Sequence, residues 1–316
     1  MENVYHKFHI PVMGTGHSID SPIRVAHLGI SSVMSIVDDI LIEKICKHYS
    51  EKYSIDFVET AKSDPYARSK RITAYLNVVD IIVSLKLNEI KLLPFEAGNE
   101  KTKYFDLLPD ESKLKKKYNY FLTIETEAEK EKVAEELTNL MRAGSIDVNI
   151  MSKLDRTNYA KDGTILSDEF NDAKAALRGY AESTLTSSIV FSAGFNRTLL
   201  GYLEQFKDFY RDANGKIKKK IIIKVSDFRS AMIQGKFLAS KGLEVSEFRI
   251  ESGLNCGGHA FASQGYLLPS ILKEFKDKRK TLAQEFIPLI KSYYEKQNWT
   301  FNESAFICEP LLTVQG

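Results

Sequence analysis

The chain is poor in several things that would each have decided its class. It has 3 cysteines in 316 residues, Cys46, Cys256 and Cys308. They are far apart and odd in number, which argues against a disulfide framework and fits a reducing cytoplasm. No CxxC or HxxxH spacing marks a zinc site. Charge of one sign is lacking too, since 44 basic residues face 42 acidic ones for a net charge of +2. Such a chain has no overall field that would draw it to nucleic acid or to an anionic membrane. No uninterrupted apolar run approaches the ~20 residues that span a bilayer, and "MENVYHKFHIPVMG" has no apolar signal core. These absences predict a soluble cytoplasmic protein.

What is present is an ordinary globular composition, 43% apolar and 27% charged. The length suffices for one α/β barrel or two smaller domains. Two basic runs, "KLKKKYNY" from Lys113 and "KIKKKIIIK" from Lys216, read as solvated strand entrances. Seven short apolar stretches read as strands. They are "FHIPVM" at Phe8, "GISSVMSI" at Gly29, "SIDVNIM" at Ser145, "SSIVFSAG" at Ser187, "KIIIKVS" at Lys220, "VSEFRIES" at Val245 and "PLLTVQG" at Pro310.

Helical periods separate them. Asp227 is placed to cap a helix in "DFRSAMIQGKFLASKG", with Phe228, Met232, Ile233 and Phe237 on one face and Gly242 as the stop. Further helices are expected over about 128–142 and 171–181. Alternation of strand and helix favours a parallel sheet with helical crossovers. The fold class expected is α/β, a TIM-type (β/α) barrel with about seven of its eight strands. A single barrel domain would cover 1–316, truncated near the seventh strand, with helical insertions at 46–144 and 154–183.

In such barrels the loops after the strands build the site. After the sixth strand comes "ESGLNCGGHAFASQG", four glycines in fifteen residues of a chain holding 17. Amides at Gly257 and Gly258 are unobstructed by side chains and suit a phosphate or a flat ring, with His259 beside them as an acid or base. A tight turn explains the two glycines as well, and a packing or capping role explains the histidine. Cys256 reads as a packing residue or a thiol beside helix amides. His17 and Asp20 suit a polar site, although helix capping by Asp20 or Ser21, just ahead of Pro22, explains them equally.

Together these segments resemble the nitronate monooxygenase-like flavoproteins, a family that includes the FMN-dependent enoyl-acyl carrier protein reductases. The resemblance lies in "HIPVMGTGHSIDSPIRVAHLGISSVMS", in "KIIIKVSDFRSAMIQGKFLASKGLEVSEFRIESGLNCGGHA" and in "EPLLTVQG". It implies a barrel that binds FMN and oxidises or reduces a small organic substrate, with O2 or NAD(P)H as the second partner. It also implies that Met13 and Gly14 line the flavin ring, that Asn149 contacts it, that Gly257 and Gly258 lie near its phosphate, and that His259 acts on substrate. Lys224 and Ser252, near strand exits, are site-lining candidates, the lysine as a fixed cation beside a reduced flavin. From the residues alone, Met13 also reads as core and Asn149 as a partner for strand backbone.

The chain departs from the family at Asn255 and Cys256, where an acidic residue and alanine are usual. It also stops at Gly316, before the eighth strand. A C-terminal continuation or a homo-oligomeric partner would then complete the barrel. Two other readings remain. A desolvated Lys224 suits a Schiff-base aldolase in which His259 or Asp155 moves protons. The missing strand suits a non-catalytic barrel subunit.

Overall fold

The computed structural model describes residues 5–6, 8–12, 18–151, 155, 157–160, 162–192, 194–251, 268–301 and 309–315. Seven strands form one sheet in the order β1 (His9–Ile10), β2 (Ser31–Ser35), β3 (Ile146–Ile150), β4 (Ser188–Phe191), β5 (Lys220–Val225), β6 (Val245–Glu251) and β7 (Leu311–Gln315). Each falls inside one of the seven apolar stretches read from the sequence. Neighbours in the sheet are neighbours in the chain, and the registers are parallel, His9 opposite Ser31, Val148 opposite Ile189, Ile223 opposite Phe248. Parallel pairs need long crossovers, and helices supply them. This singly wound order is that of an incomplete TIM-type (β/α) barrel, seven-stranded among the described residues.

The helices are α1 (Ser21–Val25), α2 (Asp39–Tyr53), α3 (Ala67–Leu92), α4 (Glu100–Asp106), α5 (Lys113–Phe121), α6 (Glu127–Leu140), α7 (Asp172–Ala181), α8 (Arg197–Tyr202), α9 (Phe228–Ala239) and α10 (Leu268–Lys296). The chain divides into two compact units, residues 1–35, 41–58 and 74–147 in the first and 36–40, 59–73 and 148–316 in the second.

In the first unit, aromatic rings of α4, α5 and the segment before α4 pack in the core, Phe105 stacking on Tyr118 at 4.9 Å and Phe95 meeting Phe121 at 4.7 Å. Side chains satisfy the exposed backbone groups at the helix ends. Asn99 and Ser112 accept from Thr102 N and Lys115 N at the N-termini, while Lys101 donates to Lys91 O and Leu93 O at the C-terminal end of α3. The run from Lys113 is therefore no strand entrance. It is α5, and its lysines are used: Lys115 donates to Phe105 O at 3.0 Å and Lys117 pairs with Glu136. "FLTIE" follows as the end of that helix and a turn, because Leu114, Tyr118 and Phe121 recur at helical rather than strand spacing.

Gly144 holds the approach to β3. A Cβ there would stand 2.2 Å from Ile30 C and O, and its amide donates to Ala26 O at 2.8 Å. Asp20 stands at the N-cap position of α1 without capping it, since its Oδ2 accepts from Arg24 and Tyr49, both at 2.8 Å.

In the second unit the strands have two unlike faces. Ile221, Ile223, Val225, Phe248 and Ile250 are buried on one, and helices α9 and α10 cover it, with Phe248 against Phe286 and Phe228 against Phe275. Asp227 caps α9 through Ser230 N at 2.7 Å, as the sequence predicts. The buried stripe of α9 differs from the expected one. It runs through Phe228, Ala231, Gly235 and Leu238, whereas Ile233 is exposed and Met232 and Phe237 are half-buried. Small residues win that face because α10 comes close, a Cβ on Gly235 meeting the Phe286 ring at 2.2 Å.

Two outcomes are expected for the first unit. Gly144→Ala, clashing with backbone rather than with a movable side chain, costs roughly 1–3 kcal/mol in urea unfolding. His27 is buried, its Nδ1 is without a partner among the described residues, and its pKa is pushed down to about 4, chiefly by burial and also by the Lys86 charge, against the pull of Glu100. An unfolded histidine takes its proton near pH 6.5, so acid favours the unfolded chain first. Stability should fall by about 2 kcal/mol from pH 6.5 to pH 4, and His27→Asn should flatten that part of the profile.

Candidate functional site

Side chains alternate across a strand, so the face turned away from α9 and α10 carries every second residue. On β5 these are Ile222 and Lys224, on β6 Glu247, Arg249 and Glu251, and on β7 Thr313 and Gln315, matched in register as Lys224 with Arg249 and Glu251 with Gln315. The face is charged and buried. Arg249 donates to Glu247 at 2.8 Å, and Thr313 donates to the same carboxylate oxygen at 2.5 Å. One step nearer the strand exits, Lys224 Nζ lies 2.7 Å from Glu251 Oε1, with side chains 8% and 4% exposed. A buried ammonium is tolerated only with such a partner.

Asn149 shares this face. It sits in register with Val190 on β4, which in turn faces Ile222 on β5. Lys224 is two residues further along, so at usual strand spacing the two Cα atoms lie about 12 Å apart. Asn149 is buried and donates to Ser192 Oγ at 3.4 Å, a long bond that leaves the carboxamide weakly held. Lys224 also borders a cavity of about 140 Å3 at the β5–α9 junction.

Of the residues singled out in the sequence, Asn149 and Lys224 thus come to one face and one end of the sheet. Met13, Gly14, His17, Ser252, Cys256, Gly257, Gly258 and His259 lie outside the described residues. Asp155 is occupied elsewhere, its two carboxylate oxygens accepting from Asn171 at 2.5 Å and Asn196 at 2.6 Å. Those two asparagines cap α7 and α8, so the described contacts of Asp155 tie helix starts together. Cys46 is buried, and its thiol is pushed up to about 11 by burial, which makes it inert.

Glu251 and Gln234, the latter buried in the wall of the cavity, escape a reading of the sequence. The signal for the first is the period-two charge in "EFRIE", carried on a strand that is otherwise apolar. A second cavity of about 400 Å3 includes Tyr66, Arg178 and Tyr202 in its wall. Two cations line it: Lys70 pairs with Asp64, while Arg178 lies 4.6 Å from the Tyr66 ring and pairs with Glu169 through Nη2, its buried Nη1 making no hydrogen bond among the described residues.

No family model, curated protein or solved structure matches the chain. Among the described residues no group of three or more His, Cys, Asp or Glu side chains is arranged to hold a metal, and no helix is long and apolar enough to cross a membrane.

The ion pair makes a specific prediction. Lys224→Met strands Glu251 in a buried place and should cost about 3 kcal/mol or more, as removal of one partner of a buried pair does. The double variant with Glu251→Leu should lose no more than the single one. Equal, additive losses in chemical unfolding would mean that the two groups are not coupled.

Proposed function

We propose that the chain is an FMN-dependent oxidoreductase acting on a small organic substrate, with the cofactor bound over the exits of β3 to β6. The observation that carries the reading is a buried lysine, held by a carboxylate, at the C-terminal end of a TIM-type strand and beside a cavity. Sites of this fold class lie at that end of the strands. The donor set fits the group, since a carboxamide at Asn149 and an ammonium at Lys224 are hydrogen-bonding partners for the polar edge of a flavin ring.

When bound, FMN would supply the hydride or electron transfer, with O2 or NAD(P)H as the second partner. The residues of the chain would do the rest. Glu251 fixes the direction of the Lys224 ammonium and leaves it two N–H groups for a ligand. Its positive charge favours negative charge that develops nearby, without reorganisation at the moment of reaction. By resemblance, Met13, Gly14, Ser252, Gly257 and Gly258 complete the cofactor site, and His259 gives or takes the substrate proton.

One observation favours a second reading, a Schiff-base aldolase. Lys224 borders a cavity, and Glu251 is placed to take the proton that the amine must lose before it attacks a carbonyl carbon, forming an imine and releasing water.

Reconstitution separates the two. The flavin reading expects protein refolded with FMN to stay yellow through desalting, and Lys224→Gln to weaken retention by about tenfold. A colourless protein in which borohydride and a carbonyl substrate modify Lys224 would replace it with the aldolase. His259→Ala should lower turnover of an identified substrate by ~10²–10⁴-fold. A loss of only a few-fold removes its role as acid or base.

A further inference from the structure

The larger cavity, of about 400 Å3, includes Tyr66, Lys70, Glu169, Arg178, Glu182 and Phe206 in its wall, all of them in the second unit. Its volume falls within the ~300–1,000 Å3 of small-molecule sites. Arg178 is 7% exposed. Its Nη2 donates to Glu169 Oε2 at 3.2 Å and to the Tyr202 hydroxyl, while Nη1 is buried and makes no hydrogen bond among the described residues. An unanswered buried N–H of a charged group is costly, so a ligand that answers it gains what the empty site forgoes.

The wall carries both signs of charge. Lys70 and Arg178 stand against Glu169 and Glu182, and Lys70 gives one of its three N–H groups to Asp64. Arg178 and Glu182 are four residues apart at the end of α7, where Glu182 keeps helical geometry, φ −84° and ψ −10°, and its amide donates to Arg178 O. Residues so spaced are neighbours on a helix surface, ~5–6 Å between Cβ atoms. A cation and an anion thus stand side by side, as the two charges of one α-amino acid do. Burial pushes the pKa of the Tyr202 hydroxyl up, Arg178 pulls it down, and Glu169 and Glu182 push it up, so both carboxylates border the same hydroxyl. Apolar surface completes the wall. The Phe206 ring meets Tyr202 edge-on at 5.3 Å, and the Tyr66 ring, 37% exposed, lies 4.6 Å from the Arg178 guanidinium.

We propose that this cavity binds a free α-amino acid with an apolar side chain, held by both of its charges. The carboxylate takes Arg178 Nη1, as the exposed Tyr66 ring gives way, and is joined by Lys70. The ammonium takes Glu182, and the side chain lies against Phe206. An anion alone meets the charges of Glu169 and Glu182, and a cation alone leaves Nη1 unanswered, which gives the site its selectivity. Binding there needs no flavin, because none of these wall residues belongs to the proposed cofactor site.

L-Phenylalanine, 3-phenylpropionate and phenethylamine share one ring and differ in charge, and saturation-transfer NMR against the full chain compares them. L-Phenylalanine is expected to bind, and each singly charged analogue to bind about tenfold more weakly or worse. Arg178→Met should weaken L-phenylalanine about tenfold and phenethylamine not at all. Glu182→Gln, at an exposed position, should weaken L-phenylalanine about threefold or more and 3-phenylpropionate not at all, and it carries the test should the Arg178 variant fail to fold. No binding of L-phenylalanine, equal binding of the three probes, or an affinity for L-phenylalanine unmoved by Glu182→Gln would overturn the proposal.

Discussion

The ion pair between Lys224 and Glu251 depends on a sheet with two unlike faces. One face is apolar and takes the helices α9 and α10. The other carries Glu247, Arg249, Glu251 and Lys224, all buried. A period of two keeps these sets apart, and a slip of one residue would drive charges into the helix layer. Register and function are thereby tied together. The same pairing that places Ile223 beside Phe248 also places Lys224 beside Arg249 and within reach of Glu251.

Stability comes mainly from the apolar face, where close packing is tight enough that Gly235 has no room for a methyl group beside Phe286. The charged face contributes differently. Buried ion pairs seldom add net stability over apolar residues of equal volume, because desolvation offsets the attraction. What they supply is direction: a lysine fixed in place, with unused donors, at the end of a strand. The proposed oxidoreductase chemistry draws on that fixed amine.

Much of the architecture was legible along the chain. The seven strands show as short apolar runs between Gly, Asn or Asp, and the start of α9 shows as Asp227 ahead of a helical period. Local signals fail where a distant neighbour decides. Nothing near Gly235 reports that Phe286 will lie on it, so the larger Ile233 reads as core and is exposed. Asp20 has the residue type and position of a cap, yet Arg24 and Tyr49 compete for its carboxylate. Lys113 to Lys117 read as a charge run, and only the fold shows α4 and α6 providing their partners. The site was legible in the same way. Lys224 is conspicuous within "IIIKVS", whereas Glu251 becomes meaningful only once β6 is laid beside β5.

Hydrogen exchange with and without FMN tests the central claim most directly, because a ligand that binds the folded state protects the backbone it covers. The account predicts slower exchange on adding FMN at the exits of β3, β5 and β6, near Asn149, Lys224 and Glu251, with helices outside the proposed site, such as α5, unchanged. Protection confined to other segments, or none at saturating FMN, would contradict it.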